Sequence, residues 1–442
     1  MNSFERLEIT EASRPYGGLA MATMMAGRPT LDLAAHGYVE EEYVLSGTVD
    51  GAPYRVPVLV RKPRDAAKFS GLVVVEPMHA AGVIPTWNSF QHLIMGDGHA
   101  WATVGAQRMA FEQWQGFNPE RYAGLALPTI GERSWPAAPL RFSLRTPQDD
   151  ISRAIMTQFG AVLKGGHDDG PFAGWPVRHL MMSGNSQTSL FTLSYIRNAN
   201  PGARLADGSP IWDGFLPVAA PTYGDISGNG SAVINVYGDG DIDLFAHMGG
   251  KLSLREDSDA PGDRYRTYEV PGASHAATRG YSDIRTLMPG DPNVAKLVAG
   301  PGQALSQYPT AQIFAAVFRA LVDWIVDGVA PPRAGHLERD GNSLVRDAAG
   351  NPLGGLRSPY LDMPRYRYIT AGGSQQGLNL PTLDRFGVQV TLPTDELRKA
   401  WPTRTDYLRV FDAGIDEMVR NRFLLPADAQ IMKAEEAADP PY

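Results

Sequence analysis

Four residues of this sequence are candidates for a serine nucleophile, its general base and its acid. The first is Ser186, in the segment 183–188, which reads SGNSQT and separates an apolar run from a helical pattern. A nucleophile elbow requires this order of strand, tight turn and helix, and it requires small residues two before and two after the nucleophile. Gly184 and Thr188 meet that requirement, with Thr in place of the commoner Gly. The alternative is that Ser186 is an ordinary N-cap, because serine often precedes a helix.

A serine nucleophile also needs a general base, and in this order of elements the base follows the last strand. His275 ends the turn PGASH at 271–275, directly after a predicted strand at 264–270. The alternative is a solvated loop histidine. The third member is a carboxylate that fixes the imidazole tautomer. The loop GDGDID at 238–243 offers Asp241 as first choice and Asp239 as second.

The order Ser186, Asp241, His275 along the chain is that of α/β-hydrolases. The run of alternating aspartates could also form a calcium loop, because oxygen ligands at alternating positions suit a hard cation. No Gly follows at the turn position and no Glu closes a twelve-residue loop. We therefore favour the catalytic interpretation and expect no metal and no cofactor.

The oxyanion of such a reaction needs backbone donors, one of them from the residue after the nucleophile, which is Gln187. The second donor is expected in the loop EPMHAAG at 76–82, from Met78 or His79, since Pro77 has no N–H. The His79 side chain could assist the oxyanion, orient a ligand or bond within its own loop. Aromatic and Met side chains nearby either line an apolar pocket or belong to the core: Trp87, Phe90, Met109, Phe111 and Trp114.

The elements that must position these residues are those of an α/β protein. Short, nearly continuous apolar runs are typical of parallel strands buried on both faces, and four occur, at 72–75, 100–104, 177–182 and 232–237. An alternating pattern at 43–61 predicts a hairpin before these strands. Apolar residues at helical spacing predict helices at 150–163, 187–198 and 312–328. Strand and helix in alternation predict right-handed crossovers and a doubly wound sheet.

Two segments exceed a minimal fold of this type. Residues 109–148 are rich in Trp, Phe and Pro, and we interpret them as a lid or pocket wall. Residues 333–442 are expected to be a covering extension, with a hairpin-like piece at 342–355 and helices near 395–400 and 407–421. No linker or repeat separates them, so the whole of 1–442 is predicted to be a single domain.

Composition limits the partners. Apolar residues make up 43% and charged residues 20% of the 442 residues, which is ordinary for a globular protein. The net charge of −8 gives no basic stripe, so neither nucleic acid nor an acidic membrane surface is an expected partner. The absence of cysteine excludes disulfides and thiolate chemistry. Acidic residues near the start and the lack of a long apolar run predict a soluble, cytoplasmic protein.

Several longer segments, together with the elbow, resemble a bacterial α/β-hydrolase-domain family whose elbow reads G-x-S-Q-[ST]. The similar segments lie at 72–82, 101–107, 212–217, 267–276, 324–332 and 347–364, and thus cover most of the chain. The resemblance implies an α/β-hydrolase fold, with a mostly parallel twisted sheet flanked by helices, a lid insertion and a C-terminal extension. It implies nucleophile and base roles for Ser186 and His275, and an acid at Asp239 or Asp241.

The chain departs from that family pattern at two places. Asp239 stands where a Glu is more usual, and Met78-His79 replaces a more usual Leu-Asn pair. The predicted function is hydrolysis of a carboxylic ester of a small, neutral or weakly polar molecule. Two alternatives are an acyltransferase with the same triad, which competing acceptor alcohols would reveal, and a non-catalytic binding protein, which a serine-reactive phosphonate would not label. The sequence does not indicate an oligomeric state.

Overall fold

The computed structural model describes the chain as two compact units. The residues it describes are 2–8, 32–79, 84–128, 147–222, 226–247, 252–280, 283, 299–341, 343–370 and 386–442. The first unit comprises Met1–Val233 and Ser258–Tyr265, and the second comprises Ile234–Asp257 and Arg266–Tyr442. The expectation of one domain over 1–442 stays a prediction.

The first unit is built on a sheet with a parallel centre. Its strands are β1 (Ser3–Leu7), β2 (Tyr38–Val49), β3 (Ala52–Pro63), β4 (Leu72–Pro77), β5 (Ala100–Val104), β6 (His179–Asn185) and β7 (Gly214–Val218). They lie in the order β1-β2-β3-β5-β4-β6-β7. Strands β5, β4, β6 and β7 are parallel, while β1, β2 and β3 are joined to one another and to β5 by antiparallel pairs.

Burial on both faces explains why the central strands are continuous apolar runs. Every residue of β4 and of β5 is buried. The α-helices of the described first unit are α1 (Pro85–Gly96), α2 (Arg108–Phe117), α3 (Pro147–Gly165) and α4 (Gln187–Asn198). Short 3₁₀ turns occur at Ala66–Lys68 and Asn200–Gly202. Helices α1 and α4 each follow a central strand and pack on it, as crossover helices do.

The second unit contains the elements expected to carry the acid and the base. Its elements before the tail are β8 (Ala232–Gly238), α5 (Asp239–His247), β10 (Asp263–Val270), β11 (Ala304–Leu305) and α6 (Thr310–Val326), and a short strand, β9 (Ser258–Ala260), lies between α5 and β10 in the sequence. Strand β9 and the first residues of β8 and β10 belong to the first unit. Strands β8 and β10 are neighbours in their sheet.

The tail adds its own small elements to the second unit. They are β12 (Arg339–Asp340), β13 (Ser343–Leu344), α7 (Pro359–Asp362), β14 (Tyr366–Ile369), β15 (Val388–Thr391), α8 (Thr394–Ala400), α9 (Arg404–Arg420) and α10 (Pro426–Ala438). Strands β11, β15 and β14 form a three-stranded sheet in that order. Helices α9 and α10 pack against each other.

The structure differs from the sequence prediction at residues 239–243, and it describes part of the predicted lid. The sequence predicts a loop at 239–243, but helix α5 begins at Asp239, because acidic residues stabilise the first turn of a helix. Within the predicted lid at 109–148, α2 and the first residues of α3 are helical, and 129–146 lie outside the described residues. In the part of the chain that is described, no helix has both the length and the apolar character needed to cross a membrane.

Candidate active site

Ser186 occupies a strained turn between β6 and α4. Its φ is 57° and its ψ is −117°, a backbone conformation that residues other than glycine rarely adopt. Ser186 forms no side-chain cap to the helix, and the residue is partly exposed. An N-cap serine normally has extended backbone and bonds the helix amides. The backbone of Ser186 therefore differs from that of an ordinary N-cap residue.

The neighbours of Ser186 explain why small residues flank it. A Cβ atom on Gly184 would lie 2.2 Å from the carbonyl oxygen of Thr188, so only glycine fits. The Thr188 hydroxyl accepts a hydrogen bond from the Asn185 N–H and donates one to the Asn185 carbonyl, each at 2.9 Å. Thr188 thus closes the turn with its side chain at a position where glycine is commoner.

His275 and Asp241 are brought together in the second unit. Nδ1 of His275 lies 2.5 Å from Oδ1 of Asp241, and the other carboxylate oxygen accepts a 2.8 Å hydrogen bond from the Gly238 N–H. Both side chains are nearly buried, and Asp241 lies in the first turn of α5, where the helix dipole favours negative charge. The arrangement fixes the imidazole ring and assigns Nδ1 to the carboxylate.

Asp239 has different partners from Asp241. One of its oxygens accepts from the Gly272 N–H at 2.8 Å and the other accepts from the Thr370 hydroxyl at 2.7 Å. Burial raises the pKa of Asp239 to about 7, although both hydrogen bonds oppose that rise. Asp239 therefore joins helix α5 to the turn that carries His275.

Residues of the tail hold the turn that carries His275. The Ser274 hydroxyl donates to the Phe386 carbonyl at 2.9 Å, and Thr370 reaches the same turn through Asp239. A Cβ atom on Gly240 would lie 2.7 Å from the Thr370 carbonyl oxygen, so the tail packs directly against α5. Sequence reasoning missed Thr370 because its contact joins residues 131 positions apart.

The candidate oxyanion donors differ in their backbone hydrogen bonds and in their positions. The Met78 N–H donates to the Val104 carbonyl at 3.1 Å, which extends the β4–β5 pairing by one residue. Its carbonyl accepts from the Gln107 side chain at 3.0 Å. His79 is partly exposed. Gln187 is the first residue of α4, and amides of a first helical turn are suited to bind an anion.

The residues predicted to line a pocket are mostly buried. The centroid of the Trp87 ring lies 5.3 Å from that of the Trp101 ring. The Arg61 guanidinium lies 4.5 Å from the Trp87 ring. Trp114 makes an edge contact with Tyr122. Phe90 and Phe111 are also buried, whereas Met109 is partly exposed. The contacts of Trp87 and Trp114 are those of core residues, and a role in a pocket stays a prediction.

A buried carboxyl at the end of β4 was not anticipated from the sequence. Glu76 accepts hydrogen bonds from the amides of Thr86 and Trp87, at 2.7 and 3.1 Å, and from the Trp101 indole at 3.1 Å. Burial raises its pKa to about 8 against these hydrogen bonds. Glu76 thus accepts from the first-turn amides of α1 and joins the end of β4 to the start of that helix.

Comparison with known proteins gives a family match. The sequence matches the family described as Alpha/beta hydrolase domain over residues 5–434. A search of curated proteins found no match. Because the family match spans nearly the whole chain, it confirms the predicted α/β-hydrolase fold.

The solved structures that match this chain include proteins named as hydrolases. A Klebsiella pneumoniae protein assigned as a dienelactone hydrolase is 12% identical, with a TM-score of 0.32 over 65% of this chain and 98% of that one. A glucuronoyl esterase from Solibacter usitatus is 11% identical, with a TM-score of 0.29 over 61% and 81%. A cold-adapted esterase from an Arctic intertidal metagenomic library is 12% identical, with a TM-score of 0.25 over 52% and 84%.

Proposed function

Because this chain belongs to the alpha/beta hydrolase domain family, we propose that it is a serine esterase with Ser186 as nucleophile. The observation that carries the proposal is the strained backbone of Ser186, at a φ of 57° between β6 and α4. Strain of this kind persists only where the surroundings enforce it, and here Gly184 and Thr188 enforce it. An enforced elbow exposes a serine hydroxyl for attack.

His275 acts as the general base in this proposal, and Asp241 is its carboxylate partner. The Asp241–His275 hydrogen bond supports the choice of Asp241 over Asp239, because it engages Nδ1 and so makes Nε2 the nitrogen that accepts the proton. Asp241 lies in the first turn of α5, where the helix dipole favours a negative charge beside the imidazolium that forms.

Each turnover comprises two acyl transfers. Ser186 Oγ attacks the ester carbonyl carbon while His275 takes the hydroxyl proton, and the alcohol leaves with that proton. Water then attacks the acyl-enzyme, again with His275 as base, and releases the acid. The oxyanion is stabilised by the amides of Gln187 and His79, since the Met78 amide is bonded to Val104.

Charge and composition support the choice of substrate class. The chain carries a net charge of −8 and has no cysteine, so neither an anionic polymer nor a thiolate reaction suits it. A carboxylic ester of a small, neutral or weakly polar molecule is the proposed substrate.

Hydrolysis of activated aryl esters of increasing acyl length tests the proposal. We expect kcat/KM of Ser186→Ala and of His275→Ala to fall by about 10⁴-fold or more. Ser189→Ala is the matched control, since Ser189 is a buried serine of the same helix, and its activity should stay near that of the wild type. Full activity in a folded Ser186→Ala protein would refute the proposal.

A further inference from the structure

Two glutamine side chains join the elbow to the end of strand β4. Nε2 of Gln187 donates to Oε1 of Gln107 at 2.7 Å, and Nε2 of Gln107 donates to the Met78 carbonyl at 3.0 Å. All three residues are buried. Buried polar groups that are fully bonded rigidify the segments that carry them. The nucleophile's neighbour is thereby connected to the loop after β4.

The Gln107 side chain forms this bridge and does not cap the helix that follows it. It is the N-cap residue of α2, yet its side chain makes no capping bond there. A glutamine is long enough to span two loops, and its amide can accept at one end and donate at the other. The bridge therefore has a direction, from the Gln187 NH₂ group through Gln107 to the Met78 carbonyl.

The bond to the Met78 carbonyl determines where the next amide points. Carbonyl and N–H of one peptide group lie in a plane and point in opposite directions in the trans form. The Met78 N–H is held by Val104 on the preceding peptide, so Met78 is restrained on both sides. Fixing the Met78 carbonyl consequently fixes the direction of the His79 N–H.

We propose that the Gln187–Gln107 bridge positions the oxyanion donor His79. Gln107 and Gln187 are positioning residues in this account, since their side chains act through the Met78–His79 peptide. The inference rests on the proposed function, in which the His79 amide stabilises the oxyanion. It also gives a physical reason for glutamine directly after the nucleophile.

The test combines kinetics with hydrogen exchange in two isosteric variants. Gln107→Glu cannot donate to the Met78 carbonyl, and Gln187→Glu cannot donate to Gln107. We expect kcat to fall by about 10²-fold in each, with KM nearly unchanged, because the lost interaction serves the transition state.

Amide hydrogen exchange measures how the bridge restrains Met78 and His79, and it needs no substrate. The peptide that contains Met78 and His79 should exchange faster in both variants than in the wild type. Gln158→Glu is the matched control, because Gln158 also accepts from a side chain, Tyr54, and donates to a backbone carbonyl, that of Thr48. It should alter neither kcat nor exchange at Met78 and His79.

The outcomes separate this inference from the proposed function. Faster exchange with a lower kcat supports the bridge as a positioning device. Unchanged exchange, or faster exchange with an unchanged kcat in an enzyme that depends on Ser186, would overturn it. If Ser186→Ala were fully active, the proposed function would fail and the catalytic part of this inference with it, whereas the exchange result would still report on the bridge.

Discussion

Nδ1 of His275 lies 2.5 Å from Oδ1 of Asp241, across 34 positions of the chain. The second oxygen of Asp241 is occupied by the Gly238 N–H, so the carboxylate cannot rotate freely. Asp239, two residues earlier, bonds Gly272 and Thr370. Asp241 thus contacts the imidazole of His275, whereas Asp239 contacts the turn that carries His275.

Substitution of the two aspartates by asparagine should give unequal losses of activity. In Asp241→Asn an amide NH₂ group competes for the position facing His275 Nδ1, which favours the wrong imidazole tautomer. We expect kcat to fall by about 10⁴-fold. In Asp239→Asn the amide oxygen can still accept from Gly272, and the Thr370 hydroxyl can accept from the NH₂ group. That variant should lose less than about 10-fold.

Steady-state hydrolysis of one aryl ester by the two variants makes this comparison. Circular dichroism of each protein serves as the folding control. A larger loss in Asp239→Asn than in Asp241→Asn would reverse the assignment of the acid.

The buried Asp239 should make stability depend on pH. Burial raises its pKa from an ordinary 3.8 to about 7. Between those values the folded chain holds a proton that the unfolded chain releases, so the free energy of unfolding falls as pH rises through this window. Asp239→Asn removes this titration. We expect the wild type to lose on the order of 1 to 4 kcal/mol more than the variant between pH 4 and pH 8.

Urea denaturation at several pH values measures that difference. The two proteins should diverge as pH rises, with the variant gaining relative stability. Parallel curves for the two proteins would mean that Asp239 has the same proton affinity folded and unfolded.

Gly184 should be irreplaceable in the elbow. An alanine Cβ would lie 2.2 Å from the Thr188 carbonyl oxygen and 2.6 Å from the Thr192 hydroxyl, so the turn would have to open. We expect Gly184→Ala to lose at least about 2 kcal/mol of stability and most of its activity. The measurement is a denaturation curve together with aryl ester hydrolysis.

Gly165→Ala is the matched control for that substitution. Gly165 ends α3, and its Cβ would meet nothing within 4 Å. Alanine there should be neutral or stabilise by up to about 1 kcal/mol. Equal effects of the two substitutions would argue against a sterically enforced elbow.

The buried carboxylate of Glu269 should be a strong anchor for the tail. It accepts from the Leu337 N–H at 3.0 Å and bonds Arg339, His336 and Tyr237. These donors lower the pKa of Glu269 although burial opposes them. Arg339→Met leaves the charge buried with fewer donors, and we expect a loss of about 3 kcal/mol.

Thermal or urea denaturation measures the Arg339→Met effect. Lys399→Met is the control, because the Lys399–Glu396 pair is exposed and its loss should leave the denaturation midpoint nearly unchanged. Adding Glu269→Gln to Arg339→Met should recover part of the loss, since it removes the buried charge. No recovery would indicate that Arg339 acts through packing alone.

Local sequence patterns predicted the central strands and helix α4 well. Strand β5 matches its predicted range of 100–104 and α4 matches 187–198, because a buried apolar run and a single apolar stripe are properties of the local sequence. Helix α1 was not predicted. Its buried face includes Thr86, Asn88 and Gln91, and these polar residues obscure the apolar period.

Contacts between distant segments could not be predicted in the same way. The choice between Asp239 and Asp241 depends on Gly272, Thr370 and His275, which are remote in sequence. The Gln107 bridge likewise joins residues 80 and 29 positions apart. Residue types and spacing gave the candidates for chemistry, and tertiary hydrogen bonds show how the surroundings of Asp239 and Asp241 differ.

Covalent labelling tests the central claim, that Ser186 is the nucleophile, most directly. The wild type, Ser186→Ala and His275→Ala proteins would be treated with an alkyl fluorophosphonate, and their peptides would be identified by mass spectrometry. We predict one adduct per chain on Ser186 in the wild type, much slower labelling in His275→Ala and none at that peptide in Ser186→Ala. A wild type that hydrolyses esters but carries its adduct on another residue, or none at all, would contradict the account.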